Sequence, residues 1–206
     1  MGNLKINENI FAITVSDLQS EANEKIGRDL TDDEILKIEE KFSIIFPPDL
    51  KLFLQTKLPI SEHFVHWRKG LKNKKIAESI IERIHWPLEG MLFDIERNNF
   101  WVKDWGEKPA TYKSQKSIAK KHFETYPKLI PIYAHRYIPS EPNEIDNPIF
   151  SVYQMDIIYY GYNLADYFSY EFKFNLTKKF EKLTNPKKEI RFWDWCVLNL
   201  TANKFS

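Results

Sequence analysis

Prolines punctuate this chain, and they limit how far any helix or central strand can run. A proline has no N–H to give to a helix or sheet ladder, and its ring clashes with the preceding turn. Pro47-Pro48, Pro59, Pro87 and Pro127 each follow a stretch with helical apolar spacing. Thr31 followed by Asp32, Asp33 and Glu34 reads as a capping box, and Ile35, Ile38 and Phe42 continue a helix that ends near Phe42. Pro47-Pro48 stops anything before it and opens a second helix, because proline is tolerated in a first turn. Leu50, Phe53 and Leu54 give that helix its apolar face, and Pro59 closes it. Ile76, Ile80, Ile81 and Ile84 predict a third helix over Lys75 to His85, stopped by Pro87. Another helix is expected from Ser114 to Tyr126, and a short one capped by Ser16 and running to Gly27.

Past Gly90 the pattern changes. Met91 to Glu96 reads as a strand, with Phe100-Trp101-Val102 as its hairpin partner across Arg97-Asn98-Asn99. Alternation then turns Phe93 and Ile95 to the core and Asp94 and Glu96 to solvent. Leu129 to Ile138 is β-rich, with Pro131 marking an edge or a bulge. Ser140 to Pro148 is a polar loop. Ile149 to Tyr153 and Asp156 to Tyr160 form a hairpin that ends at Gly161, and Asn163 caps a helix through Phe172. Residues 173–189 read as a linker or exposed turn, and Ile190 to Leu200 as an aromatic helix or strand. Trp193, Trp195, Val197 and Leu198 imply that this last stretch packs on the main domain, with Cys196 as a small buried hydrophobe. Helices before and between antiparallel hairpins give an α+β class, with one mainly antiparallel or mixed sheet flanked by helices in a single domain, 1–206.

Charge narrows the partners. The formal net charge is +1 over 206 residues, so no global field steers the protein to nucleic acid or to a membrane. The run Arg68, Lys69, Lys72, Lys74 and Lys75 reads as a solvated face. Cys196 is the only cysteine, which excludes an intrachain disulfide and a cysteine zinc site. No secretory leader pattern and no run of about 18 apolar residues is present, so a cytoplasmic location is expected.

Catalytic constellations are scarce. There is no Gly-rich phosphate loop, no H-E-x-x-H and no G-x-S-x-G. His63 and His66 could share a helical face, yet no third metal ligand is placed to join them. Asp94 and Glu96 with Lys103 invite comparison with a metal nuclease, but that arrangement needs lysine at position 98, where Asn98 stands. His135-Arg136 between Tyr133 and Tyr137 reads as a partly exposed strand or a partner contact. The dense aromatics lie near acidic rather than basic residues, so core and protein-interface roles suit them better than stacking on nucleic acid. Neither a cofactor nor a catalytic residue is expected.

Ile38-Glu39-Glu40 through Phe46-Pro47-Pro48-Asp49-Leu50-Lys51-Leu52-Phe53-Leu54 resembles the opening motif of the SUKH superfamily, which includes fungal cell-wall assembly (glucan synthesis) regulators and bacterial immunity proteins. Leu129 to Tyr133, Asn147 to Val152, Asp156 to Gly161 and the helix from Asn163 to Phe172 look like its later elements, so the resemblance spans about 31–172. Many members carry Asn-Gly or Gly-Gly after the second helix, where this chain has Thr56-Lys57-Leu58-Pro59. The resemblance implies an α+β fold without shared catalytic residues. It also implies a protein partner: a toxin, often a nuclease, whose active site is occluded, or alternatively an endogenous signalling or cell-wall-synthesis protein bound by a regulatory scaffold. Acids and aromatic anchors suit the basic cleft of such a toxin. The residues expected to make that contact are Asp94, Glu96, Trp101, Tyr137, Glu141, Glu144 and Asp146.

Overall fold

The computed structural model describes residues 26–56, 58–172, 184–186 and 188–200. Residues 16–25 of the expected N-terminal helix and most of the expected linker, 173–183 and 187, lie outside them. The two final residues of that expected helix, Ile26–Gly27, are instead a strand, β1. The first helix, α1 (Asp32–Phe42), begins as expected: the Thr31 side chain accepts from the Glu34 N–H at 3.2 Å, and the Glu34 carboxylate accepts from the Thr31 N–H at 3.0 Å. Ser43 ends it in the left-handed region, φ 51°. The Glu39 carboxylate then accepts from the Phe46 N–H at 2.8 Å, which fixes the turn into α2 (Pro48–Thr56). The next strand, β2 (Leu58–Pro59), pairs antiparallel with β1.

Glu34 has a second task. The guanidinium of Arg68, on α3 (Trp67–Lys72), donates to both its oxygens, Nε to Oε1 at 2.6 Å and Nη2 to Oε2 at 2.9 Å. One end of the expected basic run is thus a bidentate anchor between two helices, while Lys69, Lys72, Lys74 and Lys75 are exposed as a solvated face should be.

The largest departure from the sequence reading is α4, a single helix from Lys74 to Arg97. Neither the stop at Pro87 nor the hairpin of 91–96 with 100–102 exists. Pro87 removes the N–H that would bond the carbonyl of Arg83, four residues back. That carbonyl accepts instead from the hydroxyl of Tyr137, on the sheet, at 2.9 Å. Because a tertiary partner satisfies the orphaned acceptor, the helix continues for ten more residues, 88 to 97. Its second half packs on the β5–β6 turn described below. A Cβ on Gly90 would lie 2.7 Å from the Cα of Gln154, so only glycine allows this approach. One turn later, the Asp94 carboxylate accepts from the Met155 N–H at 2.9 Å. Ile95 faces the core, but Phe93, expected beside it, is exposed, because residues two apart on a helix point about 160° apart rather than the same way.

A short 3₁₀ turn (Lys103–Trp105) leads to α5 (Tyr112–Phe123). The sheet follows, with β3 (Leu129–Tyr133), β4 (Arg136–Pro139), β5 (Ile149–Tyr153) and β6 (Asp156–Gly161) antiparallel in chain order. Pro131 lies on the edge strand β3, where the register shifts between Pro131 and Tyr133. Then come α6 (Leu164–Phe172), capped by the Asn163 side chain on the Asp166 N–H at 2.8 Å, and α7 (Trp193–Leu200).

Both faces of the sheet are covered. Ile130, Ile138 and Ile149 join a core with α1, α2, α3 and α6. Leu129, Tyr137, Phe150, Val152 and Ile157 join a second core with the end of α4, α5 and α7. Trp193 is fully buried there and donates from Nε1 to the Pro127 carbonyl at 2.8 Å, and Cys196 is buried beside it. Mixed helices on an antiparallel sheet make this an α+β fold.

If the Tyr137 hydroxyl holds the orphaned carbonyl, Tyr137→Phe should cost about 1–3 kcal/mol of stability in urea unfolding. Pro87→Ala restores the helical N–H, so in that background the cost of Tyr137→Phe should fall by about 1 kcal/mol. An identical cost in both backgrounds would refute the pairing as the reason the helix continues.

Candidate partner-binding surface

The three hairpin connections of the sheet differ in length. Ala134-His135 joins β3 to β4, and Gln154-Met155 joins β5 to β6, each a two-residue turn. Ala134 and Gln154 take left-handed conformations there, φ 44° and 55°, as tight hairpins require. Between β4 and β5 the chain spends nine residues, 140 to 148, on the same topological task. A two-residue turn would connect these strands, so the extra length serves something other than connection.

That loop is fixed from several directions. Asn147 is fully buried, and its amide donates to the carbonyls of Pro139 at 3.1 Å and Pro142 at 2.8 Å. Asn143 donates to the Phe46 carbonyl at 3.1 Å. The Asp146 N–H donates to Asp49 Oδ2 at 3.0 Å, and Asn163 donates to Asp146 Oδ1 at 3.0 Å. Lys188, from the C-terminal stretch, donates to the Ile145 carbonyl and pairs with Glu144 at 3.0 Å. Glu141 and the 65%-exposed side chain of Glu144 project to solvent from this frame.

Asp49 is the buried centre of the arrangement. It is 4% exposed, and burial pushes its carboxyl up to about 6, against the pull of the Asp146 and Leu50 N–H bonds. It is the acidic residue of the motif Phe46-Pro47-Pro48-Asp49, and sequence reading assigned it no role at the site. Asn143 and Asn147, each next to a proline, are typical loop-fixing residues and carried a readable signal. Lys188 carried none, because nothing local marks a lysine that will cross back to a loop over forty residues earlier.

The seven residues expected to contact a partner do not form one surface. Glu141, Glu144 and Asp146 share the long loop, though Asp146 is turned partly inward to Asn163. Asp94, Glu96 and Trp101 lie at the end of α4, beside the opposite end of β5, and that strand separates the two groups by roughly 15 Å at about 3.3 Å per residue. Asp94 is 7% exposed and occupied by the Met155 and Asn98 donors, so it is structural rather than a contact. Tyr137 is 2% exposed and spent on Arg83. Both errors have one cause: the helix that replaced the expected hairpin buries Asp94 on its inner side and needs Tyr137 as its partner. Glu96 is exposed, paired with Arg97 at 3.6 Å. Trp101 donates to the Gly106 carbonyl at 2.8 Å and, with Asn98 and Asp156, borders a cleft of about 510 Å³.

Of the other residues weighed for chemistry, Arg136 is occupied as well, whereas the buried Nδ1 of His66 has no hydrogen-bond partner among the described residues and His135 is exposed. Arg136 is buried, not partly exposed. Its guanidinium carbon lies 3.5 Å from the centre of the Tyr160 ring, and it bonds Glu171 at 3.2 Å and Ser151 at 3.0 Å. His63 packs edge-on to Tyr133, and burial together with Lys69 and Arg83 holds His66 below the usual imidazole range. Among the described residues no group of three His, Cys, Asp or Glu side chains is placed to hold a metal, and no helix is long and apolar enough to cross a membrane. No family model, curated protein or solved structure matches this chain.

Three carboxyls are shifted: burial raises Asp49 and Asp194, and Glu34 is lowered, so Asp49 and Glu34 separate by pH. Asp49, raised from 3.8 to about 6 in the fold, favours folding most when neutral. Its contribution is complete below about 3.8 and is lost as pH rises through about 6. Glu34, held at about 2 chiefly by the Arg68 hydrogen bond, contributes above about 4.5 and loses that as pH falls towards 2. Asp49→Asn keeps an oxygen for the Asp146 N–H and cannot ionise. It should flatten the loss of stability between pH 4 and 7, on the order of 2–3 kcal/mol, while leaving the acid limb below pH 4.5 in place. Urea unfolding across that range checks this, and an unchanged slope would remove Asp49 from the account.

Proposed function

We propose that this chain is a non-catalytic protein-binding domain of the immunity type, which neutralises a toxin such as a nuclease by covering its active site. The observation that carries the reading is the nine-residue loop 140–148, held rigid by buried polar clamps and presenting Glu141 and Glu144. A loop ordered in advance loses little entropy on binding. Acids on a fixed frame complement the basic cleft of an enzyme that cuts nucleic acid, which speeds association and selects the partner. The resemblance to the SUKH superfamily supports the same reading. Two of the three acids of the resembling motif, Glu39 and Asp49, bond backbone N–H groups inside the fold, while Glu40 is exposed, so the motif accounts mainly for architecture and recognition falls to the surface. A regulatory scaffold would use the same surface on an endogenous partner.

The test has two stages. A pull-down from the native lysate supplies the partner. Titration calorimetry and growth of cells expressing the partner, with and without this chain, then establish whether binding abolishes toxicity. A one-to-one complex that restores growth is the expected result. A tight, non-toxic housekeeping partner would overturn the immunity reading in favour of the scaffold. Within the complex, Glu141→Lys should weaken binding roughly tenfold, about 1.4 kcal/mol, mainly through a slower association rate. Glu78→Lys, exposed on α4, should leave affinity unchanged. Equal effects from both would reduce the loop's role to general charge.

A further inference from the structure

We propose that a second, separate site, a cavity of about 410 Å³ between α1, α4 and the end of α5, binds a small amphipathic anion: an apolar chain ending in a carboxylate. The volume falls within the ordinary range of small-molecule sites. Phe42, Ile81, Ile84, Leu88, Phe123 and Leu129 form its apolar wall. Ile81, Ile84, His85 and Leu88 follow the i, i+3, i+4, i+7 spacing of one helix face, and they line the cavity instead of closing over it. Ile81 remains 40% exposed, so apolar surface stands open at the mouth.

The polar groups select the head. The Lys41 ammonium donates to the carbonyls of Gly70 at 2.8 Å and Leu71 at 3.2 Å, and the Lys128 ammonium donates to the Ser43 carbonyl at 2.6 Å. Carbonyl dipoles position these two ammonium groups and leave their net charge uncancelled. Among the described residues Glu124 is the one carboxylate that lines the cavity, so their side chains leave an excess of one positive charge, with His85 as a further donor. The Tyr126 hydroxyl is already engaged, accepting from Trp105 Nε1 at 2.8 Å. An apolar wall with a cationic excess accepts a molecule that is apolar along its length and anionic at one end.

Sodium decanoate and its neutral counterpart 1-decanol, titrated into the full chain and followed by amide NMR, test this. Decanoate should give saturable one-to-one shifts at Phe42, Leu88 and Phe123, with an affinity roughly fivefold above that of decanol, the preference expected of a partly exposed ion pair. Lys128→Gln should remove most of that preference. Ile81→Glu, at the half-open mouth where the fold tolerates a charge, should weaken decanoate roughly tenfold with an unchanged melting temperature. Equal affinity for acid and alcohol, or shifts confined to residues away from the cavity, would overturn the proposal. Because the cavity shares no residue with the 140–148 loop, either outcome leaves the protein-binding reading to its own test.

Discussion

A single hydroxyl governs the architecture on one side of this sheet. Tyr137 points from β4 into the second core and donates a hydrogen bond to the Arg83 carbonyl, the acceptor that Pro87 leaves without a helical donor. A buried unpaired carbonyl costs enough to break a helix. Paired, it lets α4 run on past the sheet, and everything that the second half of α4 does depends on that continuation. Gly90 and Asp94 reach the β5–β6 turn, and Met91, Leu92 and Ile95 roof the second core. Arg83 reinforces the junction with its own side chain, donating to the carbonyls of His63 and Ala134 and so tying the helix to the β3–β4 turn and to the segment before α3.

Buried and half-buried charge in this fold acts as a set of crosslinks between segments distant in sequence. Arg68 joins α3 to the capping box of α1, Arg136 joins β4 to α6 through Glu171, and Asp49 joins α2 to the long loop. Each crosslink has hydrogen-bonded company, as buried ionic groups must. The Arg136 guanidinium also lies over the Tyr160 ring, which offsets part of its lost hydration. These bonds fix orientations that apolar packing alone leaves loose, because aliphatic contacts are non-directional whereas a bidentate guanidinium–carboxylate pair has one geometry.

The sequence was most legible where the determining interactions are local. The capping box at Thr31, the proline-led second helix, the Asn163 cap and the Ile149–Tyr153 hairpin with its partner strand all depend on residues within a few positions, and all form where their patterns place them. Pro131 lies on an edge strand for the same reason: its missing donor is a local fact. Reading failed at Pro87 because what rescues the helix there is a tyrosine fifty residues away. The alternation that suggested a strand over 91–96 was a side effect of a helix packed on two sides, with Met91, Leu92 and Ile95 inward. The candidate site inherited that error through Asp94 and Tyr137. The polar loop Ser140 to Pro148 forms where the sequence places it, since a polar stretch bounded by prolines between two strands announces itself without tertiary help.

The long loop and the C-terminal stretch answer one another electrostatically. Asp49 and Asp146 bring their carboxylates close together, and that proximity adds to the burial that raises the Asp49 carboxyl. A loop carrying Glu141, Glu144 and Asp146 over such a group would tend to lift away from α2. Lys188 counters this from outside the strand-and-loop system, taking the Ile145 carbonyl, the Asn147 side chain and Glu144 with one ammonium group. Five residues on, Trp193 sits fully buried and bonded to the Pro127 carbonyl, which sets where Lys188 can reach. Residues 188–200 are therefore part of what shapes the acidic loop, and the charge that the loop shows to solvent is what remains after this lysine has taken its share.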